Sequence, residues 1–111
     1  MNISFRNRKL EKCANKDGFS LKTFGPIRSK LYKQRIDDLR AANSLEETRY
    51  LPGKFHELTA DRKGQWACNL DHPYRLIFEP HEDPIPENED GQFIWCEIKG
   101  IEIIEIADYH K

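Results

Sequence analysis

QWACNLDHPYRLIF, residues 65–78, decides the fold. Apolar side chains return there at every second position, Trp66, Cys68 and Leu70, then Tyr74, Leu76 and Phe78, with Asp71-His72-Pro73 between them as a turn. Period-two alternation broken by turn chemistry is a β-hairpin. Toward the C-terminus, Ile101-Glu102-Ile103-Ile104-Glu105-Ile106 is rich in β-branched residues and apolar on both faces, the composition of an inner strand. Toward the N-terminus the period lengthens. Ile27, Leu31, Tyr32, Ile36 and Leu39 recur at helical spacing from Pro26 to Ala42, and Pro26 suits a first helical position. The opposite face of that helix carries Arg28, Lys30, Lys33, Arg35 and Arg40, tempered by Asp37 and Asp38. Ser44-Leu45-Glu46-Glu47 fits a capping box, in which hydroxyl and carboxylate each satisfy a backbone N–H, and predicts a short helix ending before Pro52. Ile3-Ser4-Phe5 reads as a short strand and Arg6 to Lys16 as a first helix. Helices followed by a sheet define an α+β class.

Length and charge bound the function. A chain of 111 residues fits one domain, 1–111. Lacking an apolar run of about 20 residues and a secretory opening, it is expected in the cytoplasm without a membrane partner. Cys13, Cys68 and Cys96 are odd in number and scattered, which predicts reduced thiols rather than a disulfide framework or a zinc site. Neither a metal nor another cofactor is expected. The net charge of -1 conceals two opposed parts: residues 1–78 hold 16 Lys+Arg against 9 Asp+Glu, and residues 79–111 hold 2 against 10. A basic body suits contact with phosphates, whose counterions Lys and Arg replace, and equally describes a solvated surface. EPHEDPIPENEDGQ, residues 79–92, combines three prolines with six acidic residues and reads as an irregular, exposed loop insertion.

Four stretches resemble the HigB family, the plasmid-maintenance killer branch of the RelE/ParE toxins: Gly25-Pro26; the run from Arg35 to Leu45; Pro52 to Leu58 continuing to Trp66; and Pro73 to Phe78 with the terminal Glu105 to His110. The H-x-L segment, the tryptophan strand, the arginine-containing strand and a closing D-Y-H occur in the family's order. The resemblance implies N-terminal helices packed on a small, twisted, mainly antiparallel sheet whose concave face holds the site. It implies the toxin of a type II toxin–antitoxin system, an endoribonuclease that cuts mRNA on the ribosome. The implied partners are the ribosome, mRNA, a HigA-like helix-turn-helix antitoxin and, through that antitoxin only, operator DNA.

Attack of a ribose 2′-oxygen on the adjacent phosphate needs a proton acceptor, a group to hold growing negative charge and a proton donor. Histidine suits the transfers because its ordinary pKa is near neutrality. His110 closes the D-Y-H ending, and Asp108, two residues before it, falls on the same side of an extended segment and would orient the imidazole. A histidine so close to the C-terminus is otherwise an unordered tail residue. Tyr109 either stacks on a base or anchors the tail. His56 occupies the family's second histidine position, where a structural histidine is the alternative. Arg75, opposite Tyr74 and Leu76 in its strand, suits phosphate as a fixed, permanently charged fork, with a cross-sheet salt bridge as the alternative. Thr59 stands where family members often carry lysine, and Lys54, Arg62 or Lys63 could supply the missing charge, with solvated turn residues as the alternative reading of Arg62 and Lys63. His72 and His81 read as structural or exposed.

Two other readings share these residues. ParE-type proteins have the same implied fold and poison DNA gyrase without cutting RNA. A catalytically silent module, kept as the antitoxin's partner, is the second, with Thr59 and the acidic balance in its favour.

Overall fold

A computed structural model describes residues 1–108. Its elements run β1 (Asn2–Phe5), α1 (Arg8–Asn15), α2 (Asp17–Ala41), β2 (His56–Glu57), β3 (Trp66–Asn69), β4 (Tyr74–Pro80) and β5 (Gly100–Asp108), with single 3-10 turns at Glu46–Tyr50, Ala60–Arg62 and Trp95–Glu97. The two helices pack on a five-stranded sheet of order β1-β5-β4-β3-β2. Only β1 runs parallel to its neighbour, β5, and the other pairings are antiparallel. The expected α+β class and mainly antiparallel sheet are therefore what the chain forms. No helix among the described residues is long and apolar enough to cross a membrane.

The hairpin keeps the register its alternation predicts. Trp66 lies opposite Phe78 and Cys68 opposite Leu76, and all four are fully buried against the helices. Ile101 and Ile103 of β5 and the partly buried Ile3 and Phe5 of β1 join them, so four of the strands present one continuous apolar face to Tyr32, Ile36 and Leu39 of α2. Each such side chain contributes roughly 1.5–3 kcal/mol relative to exposure. β5 is the inner strand expected, and it carries an irregularity: Ile77 pairs with Glu105 but Phe78 with Ile103, leaving Ile104 as an extra residue. That bulge lets Ile103 face the core while Glu105 faces away.

Two local expectations change. Helix α2 begins at Asp17, well before Pro26, and is broken at Gly25, whose φ of 81° and ψ of 170° are open to a residue without Cβ. Pro26 does start the second stretch. The first stretch is held by tertiary pairing across the break, where the buried Ser20 and Ser29 hydroxyls meet at 2.6 Å and Phe24 packs edge-on against Tyr32. Such pairing leaves no periodic trace in sequence. Second, the capping-box glutamate forms its half of the motif, with Glu47 accepting from the Ser44 N–H at 3.1 Å, but the turn that follows is 3-10 rather than α. The acidic segment is the irregular, exposed loop expected, and it carries hydrogen bonds of its own. Asn88 Oδ1 accepts from the backbone of Asp90 and Gln92, Glu87 bridges to Phe93, and Glu82 accepts from the Lys99 N–H.

The basic face of α2 is also smaller than its sequence suggests. Arg28 forks onto Asp71 through two hydrogen bonds of 2.9 and 3.1 Å and lies 3.6 Å over the Tyr74 ring. Arg35 is buried, 7% exposed, and its Nε donates to the Asn69 carbonyl at 2.8 Å. Its guanidinium lies directly against Gly53, where a Cβ would come within 2.6 Å of Nε. Gly53 has φ of 109°, and its carbonyl accepts from the Asn69 N–H at 2.7 Å. Arg35 thus ties α2, the turn before β2 and the end of β3 at one point.

Gly53→Ala meets two penalties together, a left-handed backbone and a clash with a buried guanidinium. We expect a loss of about 2–4 kcal/mol, read as a lower urea midpoint with an unchanged denaturant slope. An unchanged midpoint would show that Arg35 yields at no cost.

Candidate functional site

The face of the sheet turned away from the helices is built by register. Residues paired across neighbouring strands point to the same side. One row therefore runs His56, Ala67, Ile77, Glu105 across β2 to β5, and the next runs Asn69, Arg75, Ala107. A third row brings Ser4, Glu102 and Glu79 to the same side. His56 and Arg75 lie two strands and one row apart, which separates their Cα atoms by about 12 Å. Between them the floor is small, Ala67 and Asn69, with Ala107 beside Arg75. Long side chains from either edge can close on one bound group there.

The turn before β2 fixes the state of His56. Lys54 takes a left-handed φ of 53° immediately after Gly53, and its carbonyl lies 2.6 Å from His56 Nδ1. A carbonyl only accepts, so Nδ1 carries the hydrogen and the neutral ring keeps its lone pair on Nε2. The imidazole is half-buried and oriented by its own backbone. Lys54 itself is exposed beside it.

Arg62 reaches this face from the loop after β2. Its Nη1 donates to Gln65 Oε1 at 2.9 Å and its Nη2 is 3.5 Å from Glu105 Oε1. Gln65 Nε2 continues to Glu79 at 3.3 Å, and Arg6 binds both Glu79 and Glu102, at 2.9 and 3.1 Å. A polar network thus covers the β1 end of the face, and Arg6 is held by the two carboxylates with its basicity raised. Lys63 points the other way, its Nζ 5.4 Å over the Phe93 ring. The acidic segment packs beside this loop. Ile85 lies against Gly64, and a cleft of about 420 Å³ opens between Arg62, Gln65, Glu79, His81 and Glu82.

Of the residues expected at the site, His56, Arg75 and Arg62 share the face, Lys54 flanks it, and Lys63 lies toward the acidic segment. Asp108 pairs with Tyr74 and so falls on the helix side at the end of β5, opposite in face to Arg75. Tyr109 and His110 lie outside the described residues. Sequence reading did not find Glu79, Glu102 and Glu105 as members of this face. Alternation through an unbroken strand would put Glu105 on the side of Ile103, and only the bulge at Ile104 turns it over. Arg35, which braces the turn carrying His56, was read as a surface cation. The cysteines take no part: Cys13, Cys68 and Cys96 are free thiols, and burial raises the pKa of the first two, keeping them neutral.

No family model and no curated relative matches this sequence. Among solved structures, a chain of the YoeB-YefM complex from Staphylococcus aureus matches with a TM-score of 0.59 at 14% identity, over 100% of this chain and 98% of its own. The YoeB/ParE toxin from Agrobacterium tumefaciens has a TM-score of 0.49 at 14% identity, with 99% of this chain and 100% of its own covered. At such identity likeness carries fold and not chemistry. Two helices on a five-stranded, mostly antiparallel sheet are the fold that this chain shares with the Staphylococcus aureus protein.

Proposed function

We propose that the chain is the toxin of a type II toxin–antitoxin system, of the HigB kind, and that it cuts mRNA on the ribosome. The observation that carries this reading is His56 with its Nε2 lone pair open, on the same sheet face as Arg75 and across a floor of small side chains. In the reaction His56 Nε2 takes the proton of the 2′-OH as O2′ bonds to phosphorus. Arg75 holds the negative charge that gathers on the phosphate oxygens. The bond from phosphorus to O5′ breaks, and His110 protonates the departing oxygen. The products are a 2′,3′-cyclic phosphate and a 5′-hydroxyl. Tyr109 stacks on a neighbouring base, while Asp108, which the register turns to the helix side, takes no part in these steps. Arg62, Lys63 and Lys54 supply the remaining phosphate contacts in place of a lysine at Thr59, with Arg62 leaving Glu105 and Lys63 leaving the Phe93 ring to do so. Neither a metal nor another cofactor has a part in these steps. A HigA-like helix-turn-helix antitoxin inhibits the protein and is its link to operator DNA, in the cytoplasm.

The test is cleavage mapping of a defined message in a reconstituted bacterial translation system, with and without ribosomes. Cuts should occur only on translated message. Replacing His56 or His110 by Ala, or Arg75 by Gln, should each slow cutting by about 10²-fold or more while the fold is retained. No cuts by the folded wild-type protein would overturn the nuclease and leave a gyrase inhibitor or a silent antitoxin partner.

The ordered acidic segment beside the Arg62–Lys63 loop should oppose nonspecific phosphate binding. With Glu87→Gln, Glu89→Gln and Asp90→Asn combined, affinity for an unstructured oligoribonucleotide should rise severalfold at low salt and converge with wild type at high salt. Equal affinities at low salt would reduce the segment to a surface insertion.

A further inference from the structure

The basic excess of this chain does not lie on the candidate site. Residues 1–33, which form β1, α1 and the first part of α2, hold 9 Lys+Arg against 2 Asp+Glu, a charge of +7. Residues 34–108, which carry the face with His56 and Arg75, hold 8 against 17, a charge of -9. The helices cover one face of the sheet and the site is on the other. Most of the cationic surface therefore lies on the side of the sheet away from the candidate site, with Lys9 reaching the β5 edge, where it lines a pocket with Glu105.

Three of the nine cations are already used. Arg6 binds Glu79 and Glu102, Arg28 binds Asp71, and Lys33 binds Asp17. The other six, Arg8, Lys9, Lys12, Lys16, Lys22 and Lys30, are all exposed, and none has a carboxylate within 4 Å among the described residues. On α1 they form a stripe. At about 100° per residue, Arg8, Lys9 and Lys12 fall within one arc of roughly 100°, with Lys16 just past the helix end, while Leu10 and Cys13 turn into the core. Six unpaired like charges on one layer repel each other. Folding keeps them together only because water and salt screen them, so a polyanion laid across them gains what that repulsion costs.

We infer that the outer surface of the helical layer docks the phosphate backbone of a folded RNA. The inference rests on the proposed function, in which the protein works while bound to a large RNA assembly, and it assigns the grip to the layer opposite the message-cutting face. The occupant is RNA rather than an acidic protein segment because the α1 stripe itself is lysine and arginine, the exposed apolar Leu21 and Ile27 of the layer being on α2 rather than within it. Protein–protein interface cores are depleted in lysine, whereas phosphate contact needs only positive charge and reach. The division of charge also separates the roles: a site face that carries Glu79, Glu102 and Glu105 has little hold of its own on a polyanion and receives its strand when the other side is anchored.

The experiment combines Lys9→Gln, Lys12→Gln and Lys16→Gln, all exposed and outside the site, and checks the fold by circular dichroism. Binding to purified bacterial 70S ribosomes and to a short RNA duplex is measured across a series of KCl concentrations, beside wild type and Lys99→Gln, an exposed lysine outside both the stripe and the site. The triple variant should lose about tenfold or more in affinity at moderate salt. Its plot of log affinity against log salt should be shallower by about two to three, one phosphate contact per lysine removed. Lys99→Gln should bind the duplex nearly as wild type does. A triple variant that binds with wild-type affinity and slope overturns the inference. So does one that loses only the binding of poly-L-glutamate, which would make the stripe a face for acidic protein. Binding is read without cleavage, so a wild-type protein that grips RNA through the stripe but never cuts would sink the proposed nuclease and leave this docking surface standing.

Discussion

A single buried guanidinium holds the two layers of this protein in register. Arg35 leaves the middle of α2, gives its Nε hydrogen to the Asn69 carbonyl and fills the space that Gly53 leaves without a side chain. Burying a cation costs free energy unless its hydrogens are answered, and here the answer comes from backbone at the end of β3. The consequence reaches the site through covalent connection. Gly53 is shaped by Arg35, Lys54 follows in a left-handed conformation, and the Lys54 carbonyl then sets the tautomer of His56. The interior of the protein thus decides which nitrogen of one histidine keeps its lone pair, although no core residue touches that nitrogen.

The second constraint is the bulge in β5. With Ile104 in regular register instead of bulged, strict alternation would turn Glu105 toward the helices and bury a carboxylate in the apolar layer. With the bulge, Ile101 and Ile103 stay in the core, and Glu105 joins Glu79 and Glu102 on the open face. The open face is therefore divided along its own length. Carboxylates and their arginine partners occupy the β1 end, while His56, Lys54 and Arg75 stand toward β2 and the hairpin turn. A polyanion is repelled from one half and received by the other, so the direction in which a strand can lie follows from the bulge.

What could be read from residues alone was what depends on short spacing. The hairpin, the inner strand, the helix after Pro26 and the restart at Pro26 are all written within a few turns or one strand pair, and each formed. The presence of His56, Arg75 and Arg62 on one side followed from the HigB resemblance and from alternation in β4. Long-range partners were not legible. Helix 17–24 depends on Ser20 meeting Ser29 across a break, and Arg35 sits at the edge of an apolar stripe where sequence gives a solvent position. Its actual partner lies 34 residues away. The acidic segment is the irregular, exposed loop that its prolines and carboxylates suggest, and only its internal contacts were hidden: Asn88 folds the local backbone onto its own side chain, and Ile85 and Phe93 lie against the Arg62–Lys63 loop.

Charge and architecture meet in one further step. Packed layers of a small α+β protein lie about 10 Å apart, comparable with the Debye length at physiological salt, so opposite outer faces feel each other's charge only weakly. A molecule with its cations on the helices and its carboxylates on the sheet is therefore two electrically separate surfaces. Net charge near zero is uninformative about either of them. Phosphate affinity rises steeply with each cation engaged, and each carboxylate near the path subtracts from it. For the proposed toxin, placing the affinity on the helical layer and the chemistry on the acid-bordered sheet separates holding from cutting. Loose RNA that meets only the sheet face finds reactive groups but little attraction, whereas a scaffold that takes up the helical layer leaves the sheet face open to the strand it presents.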